Sequence, residues 1–200
     1  HLLQPMSSHS LPVPLEKANR LINHGPTVLV SASHGGVDNV MAAAWVCGLD
    51  FAPPKVSLVL ARTSMTRELA EKSGHLVVQV PTVRQATLVH DVGNSSGRDA
   101  PDKLKRCGVE LFRLDGVPAP FVSGCSAWLA CRLIPDAHLR NGYDMFAAEV
   151  TGAWADDRVF RDGHWQFETA DAGWRSLHYI AGGHFYAIGD VVDVPGPETD

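Results

Sequence analysis

The densest cluster of reactive side chains runs from 62 to 67, Arg-Thr-Ser-Met-Thr-Arg. It follows an apolar run at 55–61 and leads into a helical pattern that stops at Gly74. With Ser64 as N-cap, the third helical residue is Arg67, where a capping box would place Glu or Gln. A cation there sits beside the positive end of its own helix dipole, at a cost of about 0.3 kcal/mol or more unless an anion lies close by. Arg62, Thr63, Ser64 and Thr66 add guanidinium, hydroxyl and free backbone N–H groups, a set that suits a phosphate monoester. An ordinary capped helix with solvated arginines uses the same residues, so spacing alone leaves both readings open.

A second polar stretch, 93–103, reads Gly-Asn-Ser-Ser-Gly-Arg-Asp-Ala-Pro-Asp-Lys. It is either a solvated connection or a source of donors to a ligand, with Ser95, Ser96, Arg98 and Lys103 in that role. A third stretch places Ala42, Ala43 and Ala44 before Trp45. Small side chains let backbone approach a flat ring, yet they are equally at home in a packed strand. No nucleophile has a base at useful spacing: there is no GxSxG, the ten histidines are dispersed, and Asp156-Asp157 reads as a solvated turn. A chain without acid, base or nucleophile leaves difficult chemistry to a cofactor.

These stretches must be held by a mostly β framework. Residues 27–33 and 39–48 read as a hairpin around His34-Gly35-Gly36-Val37-Asp38, and 55–61 and 75–80 as further strands. Residues 121–134, 143–154 and 184–194 read as longer strands, with Asp162-Gly163 as a type I′ turn between 158–160 and 164–167. Helices are expected at 15–24, 68–73 and 82–92. Strands dominate and short connections join them, which predicts a mainly antiparallel barrel with peripheral helices. A Rossmann sheet would need regular alternation with long helices and a GxGxxG turn, and the chain has neither that nor a P-loop.

Composition narrows the classes. The 200 residues are 45% hydrophobic, enough to bury one core. The 13 prolines and 18 glycines are spread along the chain, so one domain over 1–200 is expected, with 1–14 an irregular arm. A net charge of -5 with no basic run argues against a nucleic-acid partner. The longest apolar stretch, 41–49, falls far short of the ~20 residues that cross a bilayer, so a cytoplasmic protein without a membrane partner is expected. His1 stands first, which leaves Met6 as a candidate start. Cys47, Cys107, Cys125 and Cys131 lack ligand spacing, so buried thiols are favoured over zinc.

The order of the pieces carries more than any one of them. The run NVMAAAWVCGLDFAPPKVSLVLARTSMTRELAEKSGHLVVQVP, residues 39–81, resembles the flavin reductase-like family of FMN-binding split β-barrels, flavoredoxins included. SSGRDAPDKL and HYIAGGHFYAIGDVVDV resemble later family segments, so the similarity spans 15–195. The resemblance implies a split β-barrel, antiparallel and Greek-key-like, that forms a homodimer with FMN in a groove between subunits. It implies that backbone of Ala43, Ala44, Trp45 and Val46 meets the isoalloxazine, and that Arg62, Thr63, Ser64, Thr66 and Arg67 hold the 5′-phosphate. Ser96, Gly97, Arg98, Asp99 and Lys103 would close the ribityl and phosphate end. His178, Tyr179, His184, Phe185 and Tyr186 would line the active-site side. The segment 153–175 matches no family motif and is either packing, a lid or a hairpin that covers the dimer.

The implied activity is transfer of hydride from NADH or NADPH through FMN to free flavin, oxygen, a metal complex or a redox-protein acceptor. No side chain is needed as acid or base in that step. Three other readings stay open: a flavoredoxin-like carrier that does not oxidise NAD(P)H, a split-barrel relative that holds pyridoxal phosphate or haem, and an interaction protein.

Overall fold

The computed structural model describes residues 25–194. The expected helix at 15–24 and the arm at 1–14 lie outside the described residues. In chain order the strands are β1 (Val28–His34), β2 (Val37–Ala43), β3 (Val46–Phe51), β4 (Pro54–Val59), β5 (His75–Val80), β6 (Leu111–Phe112), β7 (Phe121–Val122) and β8 (Ala127–Ile134). They continue with β9 (Met145–Ala155), β10 (Phe160–Arg161), β11 (His164–Trp165), β12 (Leu177–Ala181) and β13 (His184–Ala187). The helices are α1 (Met65–Ser73), α2 (Ala86–Gly93), α3 (Lys103–Arg106) and α4 (Ala137–Tyr143).

Seven strands form one antiparallel sheet in the order β2-β1-β5-β8-β9-β4-β3. Consecutive strands β2 and β3 therefore lie at opposite edges. In a flat sheet with strands about 4.8 Å apart those edges would be roughly 29 Å from each other. Only Ala44 and Trp45 separate the two strands, and such a link spans about 10 Å at most. The sheet must therefore be rolled until its edges nearly meet, which makes it a barrel split between β2 and β3. The single extended run expected over 39–48 is thus two strands, broken at Ala44-Trp45 because the chain changes sheet edge there.

The inner strands are apolar on both sides because two cores compete for them. Along β1, Val28, Val30 and Ala32 join Leu58, Leu60, Leu69, Leu76 and Phe146, while Leu29 joins Val40, Val89, Val92 and Leu177 on the other face. Helix α1 covers the first core and α2 the second. Helix α1 starts at Ser64, whose hydroxyl accepts from the Arg67 N–H at 3.3 Å, and ends at Gly74, whose φ of 75° lets its N–H bond Ala70 O at 2.7 Å.

Other expectations shift at the ends. The run 121–134 divides at Gly124, whose φ is 85°, and 184–194 is strand only to Ala187. The expected 82–92 helix is a 3-10 turn, Val83–Gln85, continuing into α2. The Asp162-Gly163 turn has φ of 54° and 76°, as a type I′ hairpin requires. The segment 156–176 is pinned to the barrel. Val159 and Phe167 are buried, Arg84 donates to both Asp171 oxygens at 2.6 and 2.7 Å, and Trp174 lies against the guanidinium groups of Arg84 and Arg158.

Candidate functional site

A groove opens where the barrel is split. Its wider half, about 520 Å³, is floored by Met41, Ala42, Ala43, Ala44 and Trp45 and walled by Val59, Val89, Tyr179 and Phe185. A second cavity of about 340 Å³ is lined by Thr63, Ser64, Asn94, Ser95, Ser96, Gly97 and Lys103. Met41, Ala42, Ala61, Gly93 and Asn94 line both, so the two are one continuous trough. One half is apolar; the other carries hydroxyls and a lysine.

Backbone pairing places the apolar half. Register aligns Val28 with Ala43 and Leu29 with Ala42, so the end of β2 lies beside the start of β1. The β12–β13 hairpin is tied to the same point, because Thr27 N–H bonds Leu177 O and Tyr179 N–H bonds Thr27 Oγ1, each at 2.8 Å. That brings Tyr179 and Phe185, with ring centroids 5.4 Å apart, over the alanine floor. Small residues keep the trough open: a Cβ added at Gly93 would lie 3.4 Å from Ala42 Cβ.

The polar half is assembled from β2, α1 and the 94–103 loop. Asn39 Nδ2 donates to the buried Thr66 hydroxyl at 3.1 Å, joining the strand to the first turn of α1. The loop packs closely, since a Cβ at Gly97 would fall 2.8 Å from Met65 Sδ and 2.9 Å from Asn39 Oδ1. Lys103 is 3% exposed, yet its only side-chain hydrogen bond within the described residues is from Nζ to Val40 O at 2.7 Å. Burial pushes its pKa down, and two of its three N–H groups remain for a ligand.

The candidate residues separate into two groups. Ala43, Ala44 and Trp45 line the apolar half; Thr63, Ser64, Ser96, Gly97 and Lys103 line the polar half. Val46 packs against the first core, and Thr66 is fully buried against Asn39. Arg98 pairs with Glu68, and Asp99 is exposed outside the lining. Tyr179 and Phe185 face the trough; His178, His184 and Tyr186 do not line it.

The two arginines correct the expectation of an unsatisfied cation at the helix start. Arg67 donates to Asp144 Oδ1 at 2.7 Å and Leu60 O at 2.9 Å, lies 3.6 Å from Glu71 and covers the Phe146 ring. Arg62 donates to the same Asp144 oxygen at 2.7 Å. The Arg67 and Arg62 bonds hold the Asp144 carboxyl below its ordinary range. The anion that this helix start demanded is therefore supplied by the protein. Asp144 gave no signal in sequence because it follows α4, a helix unanticipated there, and ends it with a φ of 55°. His90 also lines the trough unforeseen, its type carrying no pattern, and Asn94 lies in the 93–103 stretch without having been among the donors expected there.

Among the described residues, no helix is long and apolar enough to cross a membrane, and no three His, Cys, Asp or Glu residues gather as a metal site.

Comparison with known proteins accords with this geometry. Residues 20–172 match the flavin reductase like domain. The uncharacterized protein YddH of Escherichia coli (strain K12) is 38% identical over 185 residues, 91% of this chain and 96% of its own length. The crystal structure of an FMN-binding domain of a flavin reductases-like enzyme from Shewanella baltica OS155 is 61% identical, with a TM-score of 0.84 over 92% of this chain and 96% of that one. A flavoredoxin from Methanosarcina acetivorans, 18% identical, shares the fold at a TM-score of 0.73 over 94% and 95% of the two chains. A split antiparallel barrel, a trough at its seam and a domain match over most of the length lead to one conclusion: the chain belongs to the flavin reductase-like family.

Proposed function

We propose that the trough holds FMN and that the protein is an NAD(P)H-dependent flavin oxidoreductase. The observation that carries this reading is the two-part trough, flat and apolar at one end and rich in hydroxyls around a buried lysine at the other. Ala42, Ala43 and Ala44 suit an isoalloxazine because nothing larger than a methyl group projects from them. Thr63, Ser64 and Ser96 offer hydroxyls to a phosphate, and Lys103 offers a charge with two unused N–H groups. The FMN-binding domain from Shewanella baltica, at 61% identity, supports the same cofactor.

FMN would supply the redox chemistry that the side chains lack. The chain's part is to orient and to exclude water: Val59, Val89, Tyr179 and Phe185 wall the apolar half, where few polar groups compete for a ring. Arg62 and Arg67 steady the α1 start through Asp144. NADH or NADPH is the proposed donor, and free flavin or a redox protein the proposed acceptor, in the cytoplasm.

A homodimer belongs to the same proposal. Trp45, Leu49 and Phe51 are exposed along or beside edge strand β3, with Phe51 98% exposed and Trp45 also lining the trough. An apolar sheet edge of this kind suits a second copy. Sedimentation of the purified protein checks it: a dimer is expected.

The exposure of Trp45, 53% even as it lines the trough, also favours a second reading, in which a protein partner docks there and the chain only carries electrons. A visible spectrum after addition of FMN tests the cofactor, with a shifted, protein-bound flavin band expected; no uptake would reject it. Steady-state oxidation of NADH and NADPH then separates reductase from carrier, since a carrier shows almost none.

A further inference from the structure

Resting on the FMN site above, we propose that Met41 is a modification site, oxidised by hydrogen peroxide to a sulfoxide that loosens the trough's hold on the flavin phosphate. Met41, Ala42, Ala61, Gly93 and Asn94 line both halves of the trough. They mark the neck where a flat ring would pass into its phosphate-bearing chain. Three of the five are alanine or glycine, and the Asn94 amide donates to His90 O at 2.8 Å. Met41 is the one long apolar side chain of the five, half-buried against the first core with its sulfur beside Ser64 of the polar half.

Ser64 has a single hydroxyl proton to give. Its oxygen accepts from Arg67 N–H at 3.3 Å as the cap of α1, and its proton goes to Met41 Sδ, 3.1 Å away. A thioether is a weak acceptor, so a phosphate can claim that proton at little cost. Peroxide changes the balance. The sulfur lone pair attacks the O–O bond; one oxygen bonds to sulfur and the other leaves as water with both protons, so the thioether is oxidised and the peroxide reduced by the same electron pair. The sulfoxide is polar where the thioether was apolar. Its oxygen is a strong acceptor that keeps the Ser64 proton, and it sets the negative end of a dipole at the neck, where it repels a phosphate. Peroxide is what oxygen yields on meeting a reduced flavin, so the oxidant arises beside the sulfur. The other described methionines are placed differently. Met65 lines the polar half alone, with a Cβ at Gly97 only 2.8 Å from its Sδ, and Met145 lines a separate cavity of about 130 Å³ beside Ile134 and Phe146.

The test treats the full chain with hydrogen peroxide, with and without FMN, and follows each methionine by peptide mass spectrometry. Met41 should gain an oxygen faster than Met145, and bound FMN should slow Met41 but not Met145. The oxidised protein should bind FMN about tenfold more weakly in fluorescence titration. Each variant is compared with its own untreated form: Met65→Leu and Met145→Leu should lose the same factor as the wild type on treatment, and Met41→Leu should lose none. The exposed Cys47 is present in all of them, so its oxidation cannot produce that difference. Equal rates at Met41 and Met145, undiminished affinity once Met41 is oxidised, or a loss in Met41→Leu equal to that of the wild type would overturn the proposal. Failure of the untreated wild type to take up FMN would instead refute the cofactor reading, and the mass spectra would still decide whether Met41 is the preferred methionine.

Discussion

The two cation-bearing segments beside the trough, 62–67 and 93–103, meet opposite fates. In the first, Arg67 has a side chain 8% exposed and is surrounded by Asp144, Glu71, Leu60 O and the Phe146 ring, while Arg62 shares Asp144. In the second, Arg98 is paired with Glu68, but Lys103 is buried against a single carbonyl and meets no carboxylate among the described residues. Burying a charge is costly unless partners replace water. Arg67 has found those partners within the fold; Lys103 has found one of three. A charge near a pocket is therefore available to a ligand only when no carboxylate of the chain reaches it first, and that is decided by tertiary structure rather than by residue type.

Substitutions can break this contrast. Lys103→Met should lower FMN affinity about 100-fold, the value of a charge-assisted hydrogen bond or two, as measured by fluorescence titration. Arg62→Ala should lower it less than about threefold, because its charge already belongs to Asp144 and solvent. An equal loss in the two variants would erase the distinction. Asp144→Ala strips Arg67 of its nearest carboxylate, so the melting temperature should fall by several degrees while FMN is still bound.

Acid sharpens the same comparison. Bonds from Lys72 and then Arg98 pull Glu68 from its ordinary 4.5 down to about 2. A depressed carboxylate stabilises fully above its unfolded pKa and loses that contribution as pH falls through the folded one. Stability should therefore decline between about pH 4.5 and 2, and Glu68→Gln should flatten that window in thermal melts. The smallest effect concerns thiols. Burial pushes Cys125 and Cys131 up to about 12, Cys107 is buried, and Cys47 is exposed. A thiol reagent at pH 8 should label Cys47 before the other three, which react only after unfolding.

Much of the framework was readable from local chemistry. The Gly35-Gly36 and Asp162-Gly163 turns, the Ser64 cap and the Gly74 stop appear where glycine and hydroxyl chemistry demanded them. Ala42, Ala43 and Ala44 line the trough, and of the 93–103 loop Ser95, Ser96, Gly97 and Lys103 do so while Arg98 and Asp99 do not. What stayed hidden depends on long-range closure. The break at Ala44-Trp45 follows from rolling the sheet, which no local pattern encodes. Asp144 takes the arginines from 77 and 82 residues away, and Tyr179 and Phe185 reach the trough only because the β12–β13 hairpin is tied back to Thr27. The spacing argument at Arg67 was sound in demanding an anion and wrong about where it comes from.

The central claim is that the hydroxyl and lysine end of the trough holds the phosphate of a bound flavin. Parallel titrations of FMN and riboflavin, which differ only in that phosphate, test it in the wild type and in Lys103→Met. FMN should bind the wild type about 100-fold more tightly than riboflavin, with most of that preference gone in the variant. Equal affinity for both flavins in the wild type would contradict the account.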